Sequence, residues 1–95
     1  GGYSVYALEV EQVLEKHPAV LEASVIGLPD ERMGEVPVAA VRLADGTTLR
    51  QAKLDAFAQE HLSEHKVPTR FIVVEELPRT GTTKVQKSEL LALFT

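Results

Sequence analysis

The chain contains no cysteine, and that absence excludes several kinds of chemistry. Without thiols there can be no disulfide, no thiolate nucleophile and no cysteine-ligated zinc. Long apolar runs are missing too, because no stretch approaches the roughly 20 apolar residues that a membrane-spanning helix requires. No charged segment followed by an apolar one opens the chain. We therefore expect a cytoplasmic protein without a transmembrane segment.

Basic residues are also in short supply. The 95 residues include 10 Lys and Arg against 14 Asp and Glu, a net charge of -4. Nucleic-acid binding needs a basic surface that neutralises phosphates, so this balance argues against a nucleic-acid partner but still permits one local cationic spot. The rest of the composition, 44% hydrophobic and 25% charged, is typical of a single soluble globular domain.

Two long segments have the apolar period of an amphipathic helix. The first helix is expected over about residues 7–17, ended by Pro18, with an apolar face made by Val10, Val13 and Leu14. The second follows the turn ADGTT, and Thr48 is its expected N-cap. Its apolar face comprises Leu49, Ala52, Leu54, Phe57, Ala58 and Leu62. The segment KSELLALF predicts a short third helix at the C-terminal end.

Three further segments have the pattern of strands. AVLEASVIGLPDE alternates, so that Leu21, Ala23 and Val25 face inward while Glu22 and Ser24 face outward. EVPVAAVRL and RFIVVEEL predict two more strands. The resulting order is α-β-β-α-β-loop-α, which predicts an α+β fold: a small three-stranded sheet with helices packed on it, plus a lysine-bearing hairpin or loop near the C-terminus.

That loop, LPRTGTTKVQKSEL, holds the candidate catalytic residue, Lys84. Pro78 fixes the start of the loop, Gly81 permits unusual backbone angles, and the threonines are small enough to leave the lysine accessible. An ammonium group placed there suits a phosphate or carboxylate that gains negative charge during a reaction. From spacing alone, a solvated surface lysine is the more common explanation.

Four stretches of the chain, in the same order, resemble the C-terminal subdomain of the adenylate-forming acyl-CoA synthetase superfamily. They are GGYSVYALEVEQVL, VIGLPDERMGEVPVAAV, HKVPTRFIVVEELPRT and TKVQKSEL. The resemblance is strongest to fatty-acid–CoA ligases. The sequence departs from the family pattern at Thr83, where a glycine usually precedes the lysine, and at Ser4, Ala7 and His65.

The resemblance implies that residues 1–95 form the mobile C-terminal lid of an AMP-forming acid–CoA ligase, whose N-terminal domain and hinge lie outside this sequence. That N-terminal domain would be the lid's partner and would bind ATP, Mg²⁺ and the carboxylic acid. Lys84 would assist formation of the acyl-adenylate. After rotation, Gly1, Gly2 and Tyr3 would line the channel for the pantetheine arm of coenzyme A, and Lys66 would contact coenzyme A. The isolated domain is expected to be inactive.

Other polar residues are assigned lesser roles. His61 and His65 lie four residues apart, a spacing that can bind metal, but two imidazoles without a third ligand are more simply solvated, and no metal site is expected. Glu9 and Glu11 do not share a helical face and are interpreted as surface or interdomain contacts. Arg32, Arg70 and Lys87 are interpreted as solvated charges rather than ligands of the CoA phosphates.

Two other functions remain open at this point. The chain could belong to an adenylation domain that transfers its acyl group to the pantetheine arm of a carrier protein. It could also be a small non-enzymatic α+β binding module in which Lys84 has no chemical role.

Overall fold

The structure is a computed structural model that describes residues 4–80 and 84–94, and within them the side chains of all residues except Ser4, Val5, Thr80 and Lys84. Three α-helices are described: α1 (Ser4–Leu14), α2 (Gln51–His61) and α3 (Lys87–Leu93). The strands are β1 (Val20–Asp30), β2 (Gly34–Leu43), β3 (Arg70–Val74), β4 (Arg79–Thr80) and β5 (Lys84–Val85). A 3-10 turn, Glu64–Lys66, lies between α2 and β3.

The main sheet has the strand order β1-β2-β3 and is mixed. β1 and β2 form an antiparallel hairpin, whereas β2 and β3 are parallel and are connected through α2. The hairpin turn is closed by the Asp30 carboxylate, which accepts the backbone N–H groups of Arg32 and Met33 at 2.9 Å each. Gly34 follows with a φ of 80°, a conformation that favours glycine. The predicted α+β class and the three-stranded sheet are confirmed.

Both faces of the sheet are covered. Four successive residues of the central strand β2, Val38 to Val41, have no exposed surface although their side chains alternate between the two faces. On one face, α1 and α2 form the first core with residues that include Val10, Leu14, Leu54 and Phe71. On the other face, α3 and the segment before β4 form the second core with Val38, Ala40, Leu77, Leu90 and Phe94. The fold is therefore three-layered.

The second core explains why the predicted outward position of Ser24 is wrong. The alternating pattern predicts a strand with one buried face and one face in water. In the structure, Ile26 and Leu28 lie on the same face as Ser24 and pack against the second core. Ser24 is only 2% exposed, and its hydroxyl has no hydrogen-bond partner among the described residues. Leu21, predicted to face inward, is 49% exposed because the β1–β2 register shifts between Val20 and Glu22.

The helix boundaries also differ from those expected. α1 runs from Ser4 to Leu14, about three residues earlier than predicted. Thr48 is not the N-cap of α2, because that helix begins at Gln51 with Arg50 as an extended N-cap residue. Residues 47–50 do not join the helix, and Leu49 packs against the first core. Leu54 and Ala58 are buried as predicted, whereas Ala52 is exposed and Phe57 is only half-buried.

Candidate functional site

The backbone of Lys84 lies in a short hairpin, the site hairpin, formed by β4 and β5. Thr80 pairs with Lys84, and Arg79 pairs with Val85. The hairpin is closed below these pairs by Gln86, whose N–H donates to the Pro78 carbonyl at 2.7 Å. Val85 and Leu77 pack against the second core. The base of the hairpin is thus fixed to the domain, while the side chain of Lys84 lies outside the described part of the structure.

The β4 side of the site hairpin is bound to the sheet by a charged network, the Glu22 network. The Arg79 guanidinium donates to both carboxylate oxygens of Glu22 in β1. Arg42 in β2 contacts the same carboxylate at 3.2 Å and donates through Nε to the Glu75 carbonyl at 3.2 Å. The Glu22 side chain is 22% exposed, so the network is partly shielded from water. The two guanidinium groups thus compensate the negative charge of the Glu22 carboxylate.

The same network shifts the pKa of both partners. The hydrogen bond from Arg79 is the main reason that the pKa of Glu22 lies below its usual value of 4.5, and Arg42 adds to this effect. Burial acts in the opposite direction. Glu22 in turn raises the pKa of Arg79. The ion pair therefore contributes stability that is fully present above about pH 4.5 and is lost as the pH falls through the lower, folded-state pKa of Glu22.

Replacing Glu22 with glutamine should remove this pH-dependent contribution. We expect Glu22→Gln to lower the free energy of unfolding by no more than about 1 kcal/mol at pH 7, since the pair is partly exposed. The difference from the wild type should shrink as the pH falls from 5 to 3. Urea unfolding followed by circular dichroism measures both quantities. Glu31→Gln, in the exposed β1–β2 turn, is the matched control and should stay within about 0.5 kcal/mol of the wild type at pH 7.

The α3 side of the site hairpin is bound to the free edge of β1. Lys87 donates from Nζ to the Glu11 carboxylate at 2.8 Å and to the Val25 carbonyl at 2.9 Å. Glu11 also accepts the Val25 N–H at 2.8 Å, and Glu15 accepts the Ala23 N–H at 3.0 Å. Side chains of α1 and α3 thus satisfy backbone groups that an edge strand would otherwise present to solvent. Lys87 is 45% exposed, as expected for a solvated charge, but it is also paired with Glu11. The interpretation of Glu11 as a surface or interdomain contact stays a prediction.

The predicted CoA contact, Lys66, lies in the 3-10 turn between α2 and β3. Its Nζ is 3.0 and 3.2 Å from the two carboxylate oxygens of Glu9 and 4.9 Å from the centre of the Tyr6 ring. The Lys66 side chain is 19% exposed. His65 packs edge-on against Tyr6, with ring centres 5.6 Å apart. Lys66 therefore already has an anionic partner within the chain.

The other residues singled out in the sequence are the first three residues, Arg70 and the histidine His61. Gly1, Gly2 and Tyr3 precede the described residues. Arg70, interpreted as a solvated charge, is exposed, and it also donates to the Phe94 carbonyl at 3.0 Å and lies over the Phe94 ring. The Nδ1 atom of His61 lies 2.9 Å from the carbonyl oxygen of Phe57. Across residues 4–80 and 84–94, no three His, Asp or Glu side chains form a group that could hold a metal ion.

An open groove of about 750 Å³ lies beside the site hairpin. Its lining has more acidic than basic side chains, namely Glu22, Glu76 and Glu89 against Arg42 and Arg79. Because the three carboxylates outnumber the two guanidinium groups, an added phosphate would meet net negative charge. The groove is therefore a poor phosphate site.

In the described part of the chain, every helix is too short to traverse a bilayer.

The geometry and the sequence identify the class of this domain. The model of the family described as the AMP-binding enzyme C-terminal domain matches residues 9–84, and the chain belongs to that family. A 2-succinylbenzoate–CoA ligase from Geobacillus kaustophilus is 47% identical over 99% of this chain and 19% of the relative. A mitochondrial medium-chain acyl-CoA ligase from Danio rerio is 40% identical over 95% of this chain and 15% of the relative.

Solved structures agree with this assignment. The amide bond synthetase McbA from Marinactinospora thermotolerans superimposes with a TM-score of 0.88 at 39% identity, over 95% of this chain and 18% of that one. The chain thus spans less than a fifth of each of these three proteins. The resemblance to adenylate-forming enzymes that the four motifs indicated is confirmed.

The contacts on either side of the site hairpin were missed from the sequence. Glu22 and Arg79 are 57 residues apart, and Glu11 and Lys87 are 76 residues apart. Hydrophobic periodicity places a charged residue on an exposed face but says nothing about a partner at that distance. The sequence does show an arginine in the segment LPRT, residues 77–80, shortly before the lysine. That arginine alone does not identify Glu22 as its partner.

Proposed function

We propose that this chain is the mobile C-terminal domain of an AMP-forming acid–CoA ligase and that Lys84 is its catalytic lysine. The observation that carries the proposal is the family match over residues 9–84, which ends on Lys84 itself. The CoA ligases among the relatives support the reaction type. A fatty or other apolar carboxylic acid is the proposed substrate, and its pocket would belong to the N-terminal domain.

In the first half-reaction, a carboxylate oxygen of the acid attacks the α-phosphorus of ATP, and the bond to pyrophosphate breaks. Negative charge accumulates on the oxygens around phosphorus as five ligands gather there. The Lys84 ammonium group would neutralise part of this charge in a cleft from which water is largely excluded. The domain would thereby hold a fixed cation close to the reacting atoms, so that little reorganisation is needed during the step.

In the second half-reaction, the thiol sulfur of coenzyme A attacks the acyl carbonyl carbon, its proton is lost, and AMP leaves. Rotation of the domain would withdraw Lys84 and present Gly1, Gly2 and Tyr3 to the pantetheine arm. Glycines suit a narrow channel because they lack a Cβ. Lys66 would contact coenzyme A only after exchanging Glu9 for a phosphate, since the carboxylate of Glu9 lies 3.0 Å from its Nζ.

ATP and Mg²⁺ are assigned mainly to the N-terminal domain. The donor set supports this division, because the described residues bring no three acidic or imidazole side chains together. Mg²⁺ prefers carboxylate and phosphate oxygens, whereas the site hairpin carries a lysine. This chain would supply a cation to the reacting phosphate, and the metal would be held elsewhere.

The proposal is tested with a full-length protein that carries this chain. With ATP, Mg²⁺ and a panel of fatty and aryl acids, we expect acid-dependent release of pyrophosphate, and then a thioester with coenzyme A. Residues 1–95 alone should release none. The acceptor is tested by replacing coenzyme A with a carrier protein bearing pantetheine, or with an amine, since one similar structure is an amide bond synthetase. Transfer only to the carrier protein would identify an adenylation domain, and the absence of acid-dependent pyrophosphate release would leave a binding module.

A further inference from the structure

Two cations bracket Lys84 along the chain and hold both ends of the site hairpin. Arg79 is the first residue of β4, and Lys87 is the first residue of α3, directly beyond β5 and Gln86. The hairpin is only two residues long on each strand. Two backbone pairs are a weak constraint by themselves, because an isolated short hairpin is marginally stable in water. Its placement must therefore depend on contacts at its base.

Both cations are anchored to the same part of the domain. Arg79 binds Glu22, and Lys87 binds Glu11 together with the Val25 carbonyl. Glu22 and Val25 belong to β1, and Glu11 lies on α1, which packs against β1. One end of the hairpin is thus fixed across the face of β1 and the other along its free edge. Two attachments on different sides restrain rotation as well as translation of the hairpin.

The anchoring carboxylates are the better shielded members of each pair. Glu11 is 15% exposed and Glu22 is 22% exposed, whereas Lys87 and Arg79 are 45% and 31% exposed. Each carboxylate also has a second partner inside the domain, the Val25 N–H for Glu11 and Arg42 for Glu22. The anionic ends are therefore held by contacts that do not depend on Arg79 or Lys87. Such preorganised acceptors fix the position of the flexible cation that binds them.

We propose that Arg79 and Lys87 are positioning residues that set where the hairpin presents Lys84 during adenylation. The inference rests on the proposed function, because it requires Lys84 to act on a reacting phosphate. A displacement of about 1 Å at a catalytic group can cost roughly 100-fold in rate. Surface ion pairs contribute little to stability, so the consequence of losing these contacts is a misplaced lysine rather than an unfolded domain.

The test measures the two half-reactions separately in the full-length protein. Arg79→Gln and Lys87→Gln should each lower the maximal rate of acyl-adenylate formation by about tenfold, with the KM for ATP within about twofold of the wild type. Transfer from pre-made acyl-adenylate to coenzyme A should stay within about twofold, because Lys84 is withdrawn in that step. Lys87→Arg, which keeps the positive charge, should recover most of the lost adenylation rate. Lys53→Gln, which removes one positive charge from the exposed side of α2, is the matched control and should adenylate at the wild-type rate.

The outcomes separate this inference from the function on which it rests. If Lys84→Ala abolishes adenylation while Arg79→Gln and Lys87→Gln adenylate normally, the positioning role is wrong and the catalytic lysine stands. Equal losses in both half-reactions would also overturn it, since they indicate general damage to the domain. If Lys84→Ala adenylates normally, the proposed function and the positioning role fail together.

Discussion

Acyl-adenylate formation should fall by roughly 100- to 1,000-fold when Lys84 is replaced by alanine in a full-length protein that carries this chain, the usual loss when one preorganised donor to developing negative charge is removed. This corresponds to about 2.7–4 kcal/mol of transition-state stabilisation. Transfer of the acyl group from pre-made acyl-adenylate to coenzyme A should largely survive. The physical reason is that the ammonium group is needed only while charge builds up on the α-phosphate and carboxylate oxygens.

Two measurements make this expectation specific. Pyrophosphate release with ATP and acid reports the first half-reaction, and thioester formation from acyl-adenylate reports the second. Lys84→Arg tests whether charge alone suffices, because a planar guanidinium cannot occupy the same point as a compact ammonium group. We expect it to recover little activity. Lys53→Ala on the exposed side of α2 should leave both rates unchanged. Normal pyrophosphate release by Lys84→Ala would contradict the catalytic assignment.

The second large effect concerns stability and comes from Leu90 in α3. Leu90 has no exposed surface and lies in the second core with Val38, Ala40, Leu77 and Phe94. Leu90→Ala should lower the free energy of unfolding by about 2–5 kcal/mol, because it removes buried apolar surface and leaves a cavity. That is a large share of the roughly 5–15 kcal/mol by which a small domain is stable. Urea unfolding followed by far-ultraviolet circular dichroism measures the loss.

The adjacent residue provides the control for this substitution. Leu91 has the same side chain on the same helix but is 42% exposed. Leu91→Ala should change the free energy of unfolding by less than about 1 kcal/mol, because it removes little buried surface. A similar loss in both variants would mean that the α3 layer does not pack on the sheet as described. That layer also supports Val85 and hence the base of the site hairpin.

The order of helices and strands could be predicted from the sequence because apolar residues recur with a different period in each type of element. The helical spacing of Val10 and Leu14 and the apolar run of β2 correspond to α1 and to the central strand. The four family motifs likewise located Lys84 and the chain's class. Ser24 was misplaced because alternation on one strand cannot show whether a helix distant in sequence covers the polar side. Thr48 has the side chain of a good N-cap but does not cap α2, because Leu49 packs against the first core and the helix begins only at Gln51.

By itself, the sequence determined the class of this protein, the α+β order of its elements and the residue proposed to act on phosphate, since these follow from local periodicity and from motifs that are contiguous along the chain. Only the tertiary structure decided that the sheet is covered on both faces, that Lys66 is paired with Glu9, and that Glu11 and Glu22 hold the two ends of the site hairpin. The reason is physical. Ion pairs and cores join residues that lie tens of positions apart, and their partners are selected by packing of the whole chain.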